Sequence, residues 1–201
     1  MAGPALSVLW SDATSGVASE TVKQGSVILE LISLMLFIFA DIEDAPAEPS
    51  YVPPSGRPTW LSTTLNLSIA DAVMAKIFQL LPATHPEHRS TLTSALRRAT
   101  EAHLLERLAA SGGLGEVTST IAAEAARLGA HGHPEHYGAA FEYGYRVGRL
   151  VEAAATGEPE LARTCADGAA SMVPGSLLLS DSLLLREFPS AMLACCAATG
   201  R

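Results

Sequence analysis

LGEVTSTIAAEAARLGAHGHPEHYGAAFEYGYRVGRLVEAAA, Leu114 to Ala155, is the stretch whose reading decides the fold. Val117, Ile121, Ala125 and Leu128 recur at three- and four-residue spacing, which predicts a helix from about Gly115 to Gly129. Gly129 and Gly132 break it. Pro134 and Glu135 then open another helix, because proline suits the first helical turn and an acid complements the helix N-terminus. That second helix carries Tyr137, Phe141, Tyr145, Val147 and Leu150, with Gly138, Gly144 and Gly148 along it. Glycine costs a helix ~1 kcal/mol relative to alanine. Three of them predict close contact with another helix or with a flat ligand.

The turn at the centre, His133-Pro134-Glu135-His136, has an echo upstream in His85-Pro86-Glu87-His88. Around the echo lie two more periodic segments. Leu65, Ile69, Val73, Ile77, Leu80 and Leu81 predict a helix from about Leu61 that Pro82 ends. Pro86 and Glu87 open the next, whose apolar positions are Leu92, Ala95, Leu96, Ala99, Leu104, Leu105 and Leu108, stopped by Ser111-Gly112-Gly113. Beyond the central stretch, Pro159 to Met172 predicts a further helix. Leu177 to Ala198 gives a last apolar segment with a break expected at Pro189. Helices joined by short links give an all-α domain.

The first 58 residues read differently. Val27 to Ala40, VILELISLMLFIFA, is apolar apart from Glu30 and Ser33. As a helix it is ~21 Å long, short of the ~30 Å hydrocarbon core. A helix apolar on all sides is usually buried, in a core or against a partner; a membrane-associated segment and a buried strand are the alternatives. Prolines 46, 49, 53, 54 and 58 make 45–58 an extended linker, with Trp60 beyond it as an apolar anchor. The domain reading is therefore an irregular, partly apolar N-terminal extension over 1–58 and a helical domain over 59–201.

Of the 201 residues, 48% are hydrophobic and 5% aromatic, which supports a packed helical core. The net charge of −8 comes with no basic run, which argues against a nucleic-acid surface. Cys165, Cys195 and Cys196 form no disulfide framework and point to a reducing, cytoplasmic setting; Cys195-Cys196 reads as a pair of small buried residues. No phosphate loop, dinucleotide fingerprint or nucleophile elbow is present. The two histidine turns read first as helix caps. Met in space, they would offer four imidazoles and two carboxylates to a metal ion. Their forty-eight-residue offset also admits a helical repeat.

From Leu67 onward the order of segments resembles a bacterial globin of the flavohaemoglobin-like kind. Leu67 to Phe78, ending at Pro82, is similar to the globin B helix and C turn, Glu87 to Leu108 to the E helix, and Gly115 to Leu128 to the F helix. Pro134-Glu135-His136-Tyr137 resembles the motif that opens the G helix, and Pro159 to Met172 the H helix. The resemblance implies haem, with dioxygen or another small gas as ligand, or oxidative chemistry at the iron. The position of the proximal histidine holds Arg127, whose guanidinium has no lone pair for iron. The resemblance therefore moves the axial role to His131, four residues on. His88, or failing that His85, would be distal, and Arg127 would pair with a propionate. The family also includes members that have lost haem and act as sensors or scaffolds. On that reading the chain is an interaction module that forms a homodimer or binds a protein partner, and a membrane is not expected.

Overall fold

The computed structural model describes residues 3–15, 19–43, 59–109, 115–177 and 179–199. Among them the fold is all-α: α1 Gly3–Ser15, α2 Glu20–Glu43, α3 Thr59–Leu80, α4 Pro86–Leu108, α5 Gly115–Gly129, α6 Tyr137–Ala155, α7 Pro159–Ser171 and α8 Leu179–Thr199. Short 3₁₀ turns at Leu81–Ala83 and Pro134–His136 lead into α4 and α6. The starts and stops follow local chemistry. Pro86 and Pro159 sit in the first turns of their helices, and Gly132 (φ 88°) and Gly157 (φ 76°) turn the chain in the left-handed region after α5 and α6.

The molecule is built around α5. Periodicity predicted one buried face, but Ser119, Thr120, Ala122, Ala123, Glu124 and Ala126 are buried as well as Val117, Ile121, Ala125 and Leu128. A helix covered on every side has core neighbours all round, here α1, α2, α4 and α6. Small side chains allow the close approach. A Cβ on Gly144 would run into the backbone of Ala122, one on Gly148 into Ser119, and one on Gly129 into the Ser7 carbonyl. The expected close contact of α6 is thus with α5, through two of its three predicted glycines. Gly138 faces open space. Outside this layer, α7 and α8 pack on α6, and α3 lies on α2.

The helices α1 and α2 share the core of the later helices. Leu6, Trp10 and Ala13 of α1, with Ile28, Leu29, Ile32, Met35 and Leu36 of α2, belong to the same core as Leu92, Ile121 and Tyr143. The Ser7 and Ser26 hydroxyls hydrogen-bond across the α1–α2 contact. The apolar run 27–40 is the middle of a longer helix; its 24 residues reach past the run at both ends. By length and composition alone, Glu20–Ala40 and Thr63–Ala83 are each sufficient to cross a membrane; half of the first window is buried inside the protein and 17% of the second. The expected linker at 45–58, the Trp60 side chain and the break at Ser111-Gly112-Gly113 lie outside the described residues.

Four further expectations are corrected. Leu65 and Ile69 of α3 are exposed; Ile77 is buried as its spacing predicts, together with Ala70, which lies outside the predicted stripe. Leu104, Leu105 and Leu108 are exposed at the end of α4, where Ala102 and His103 turn inward. Pro189 does not break α8, which runs through it. Proline at 189 removes the donor that would bond the Leu185 carbonyl. The buried Tyr143 hydroxyl donates to that carbonyl instead, at 2.7 Å. Cys195 is exposed and Cys196 half-buried, so this pair does not fill the interior.

Candidate functional site

The α4 N-terminus meets the turn after α5, and four of the chain's chemically active side chains gather there. His85 is the N-cap residue of α4 and makes no side-chain capping bond, which leaves its ring available to neighbours. Glu87 follows Pro86 in the first turn. The α5 helix ends at Gly129, so His131 is not one helical turn beyond Arg127 on a continuing face. It sits in the turn, its N–H donating to the Leu128 carbonyl at 3.2 Å. Gly132 then swings the chain toward α6.

In this corner His131 Nε2 lies 2.9 Å from Glu87 Oε2, and His85 Nδ1 lies 4.0 Å from the same oxygen. His88 projects inward from α4 and is 1% exposed. Its ring stands edge-to-face on that of His131, with 3.9 Å between centroids. Neither of its ring nitrogens has a hydrogen bond of ordinary geometry among the described residues. Burial lowers the His88 pKa to about 4, and the neighbouring His131 and His85 push the same way; the Thr21 backbone and Glu87 oppose them. An open groove runs from the corner past Thr91, Ser94, Arg127 and Tyr137.

The two His-Pro-Glu-His turns do not merge into one site. In the second, His133 Nδ1 lies 3.3 Å from Glu135 Oε1, and His136 Nε2 lies 3.9 Å from that oxygen. Glu135 is held below the usual carboxylate range first by its own backbone N–H, then by the two rings. The ligand atoms of His85, Glu87 and His131 all lie within 4.8 Å of one another. What the spacing missed was that His131, outside either motif, pairs with the acid of the first.

Arg127 is engaged elsewhere. Its Nη2 lies 2.7 Å from Glu124 Oε2, a carboxylate buried within α5, and Arg98 of α4 approaches the other oxygen at 3.4 Å. Burial raises the Glu124 pKa, while Arg127 and Arg98 pull it down. The Arg98 guanidinium also lies 5.5 Å from the Phe141 ring centroid. Sequence periodicity gave no sign of this buried cluster.

The residues as placed do not fit a haem. An axial His131 and a distal His88 would need the macrocycle between them, but their rings touch. Further along, α4 and α5 pack directly, with Leu92, Ala95, Ala99, Ala122, Ala125 and Ala126 in one core. The apolar slot that the globin comparison implies is filled by the helices' own side chains. No family model matches the chain, and neither the curated proteins nor the solved structures give a match.

Proposed function

We propose that the protein is a haem-free helical interaction module whose α3 face pairs with a second copy of the chain. The observation that carries this reading is the outward face of α3. Leu65 and Ile69 are exposed along one edge of that face and Leu67 and Phe78 along the other, on a helix that packs chiefly on α2. Large apolar side chains exposed along both edges of one helix mark an interaction surface. Ser68, Ala72 and Ala75, also exposed, recur at three- and four-residue spacing between the flanking large residues. Small residues in that row let a second helix approach closely. A second copy satisfies both features at once, since twofold pairing brings one patch against itself.

A lipid surface suits this face less well. Asp71 and Lys76 stand exposed in the middle of α3, and a charge carried into hydrocarbon is costly. At a helix–helix contact the same two side chains can stay in water at the rim. The acidic net charge of −8 also disfavours anionic membranes.

Sedimentation of the purified chain over a wide concentration range tests the reading. A monomer–dimer equilibrium is expected, shifted to monomer in Leu65→Gln/Ile69→Gln/Phe78→Gln with its helix content intact. A wild type that stays monomeric throughout, or that partitions into lipid vesicles through these residues, overturns it. The haem-free half is tested separately. Haemin added to the protein should keep the broad band of free haemin. A sharp Soret band lost in His131→Ala overturns that half.

A further inference from the structure

We infer that the corner between α4 and the α5–α6 turn is a binding site for a divalent transition-metal ion of the zinc class, held by His85, Glu87 and His131. This inference is independent of the α3 reading and draws on different residues.

The donor set is the first support. Imidazole nitrogens with one carboxylate suit a borderline ion such as Zn²⁺, and not the all-oxygen shells of calcium or magnesium. The spacing is the second. Ligand atoms around a tetrahedral zinc lie roughly 3.4 Å apart, given bonds of ~2.1 Å. Here His131 and Glu87 are 2.9 Å apart, His85 and Glu87 4.0 Å, and the three groups fall within 4.8 Å. Ring centroids of two imidazoles on one such ion lie roughly 5 Å apart, and those of His85 and His131 are 6.3 Å apart. His85 and Glu87 are exposed, so they have the freedom to close the difference by rotation.

His88 is the third support, as a positioning group rather than a ligand. Its buried ring stands edge-to-face on that of His131, with 3.9 Å between centroids, and packs the His131 imidazole in place beside Glu87. The second turn lacks such a group: both His133 and His136 are partly exposed.

The full chain, stripped with a chelator and titrated with Zn²⁺ by calorimetry, tests the site. One ion per chain is expected, with Co²⁺ at the same site giving the visible absorption of a four- or five-coordinate ion. His85→Ala, Glu87→Gln and His131→Ala should each weaken binding at least as much as the ~10–100-fold typical of losing an outer partner. His133→Ala/His136→Ala should leave it unchanged. Zn²⁺ should raise the Tm of the wild type and not of His85→Ala, because an ion that binds only the folded state stabilises it. His85→Ala is the deciding variant: an exposed ring with no capping bond can be removed without disturbing the core, and circular dichroism verifies the fold. Absence of saturable binding, binding that survives both His85→Ala and His131→Ala, or binding lost with His133 and His136 overturns the inference.

Discussion

Tyr143 shows how much one hydroxyl can decide. It is fully buried, its ring lies edge-on to Trp10 with 5.6 Å between centroids, and its O–H fills the gap that Pro189 leaves at the Leu185 carbonyl. Burial also pushes its pKa well above the ordinary tyrosine value. Tyr143→Phe keeps the ring and strands the carbonyl, so a loss of roughly 1–3 kcal/mol is expected from urea unfolding. In a Tyr143→Phe/Pro189→Ala double variant the restored N–H should recover part of that loss. Glu124 makes a second prediction at this scale. Its carboxyl is fully buried and its pKa raised, so the native state holds the proton above the ordinary value of 4.5. Its contribution to stability is therefore whole below that pH and declines as pH rises through the folded pKa. Unfolding measured from pH 4 upward should show wild type losing stability relative to Glu124→Gln. The opposite slope would mean that Arg98 and Arg127 outweigh burial.

Among the elements, the α5–α6 contact is the tightest test of packing. Gly144 and Gly148 lie against the α5 backbone at Ala122 and Ser119, which cannot retreat as a flexible side chain can. Gly148→Val should cost more than the 1–3 kcal/mol usual for overpacking, read as a lower Tm, whereas Gly138→Ala, which meets open space, should be neutral or stabilising. Most helices were legible from the sequence because caps and breakers are local: Pro86, Pro159 and Gly129 mark ends that the structure repeats. The buried faces were less legible. Leu65, Ile69, Leu104, Leu105 and Leu108 have the right spacing for a core and are exposed. Periodicity says that a stripe exists, but only the neighbours determine whether it is covered. The histidine corner was half visible. His85, Glu87 and His88 come in one motif, but their meeting with His131 joins residues forty-odd positions apart and depends on how α4 packs on α5.

At the scale of the whole molecule, the main consequence is that the N-terminal helices are structural. Trp10, Leu6, Ile28, Leu29, Ile32 and Leu36 fill the core beside α5. A fragment of residues 59–201, which the proline-rich stretch would suggest as a domain in its own right, should lose cooperative thermal unfolding and bind a hydrophobic dye. A fragment with a sharp transition near that of the full chain would place the folding unit in 59–201 after all.

Composition and punctuation by themselves determined that the described residues are helical, and where most of those helices begin and end. These properties depend on neighbours within a turn or two. The tertiary structure alone decided that α5 is enclosed, that α1 and α2 belong to its core, that His88 is buried against His131, and that α3 is left facing water. Each of those depends on which surfaces meet across long separations in the chain, where apolar burial is non-directional and local spacing carries no address.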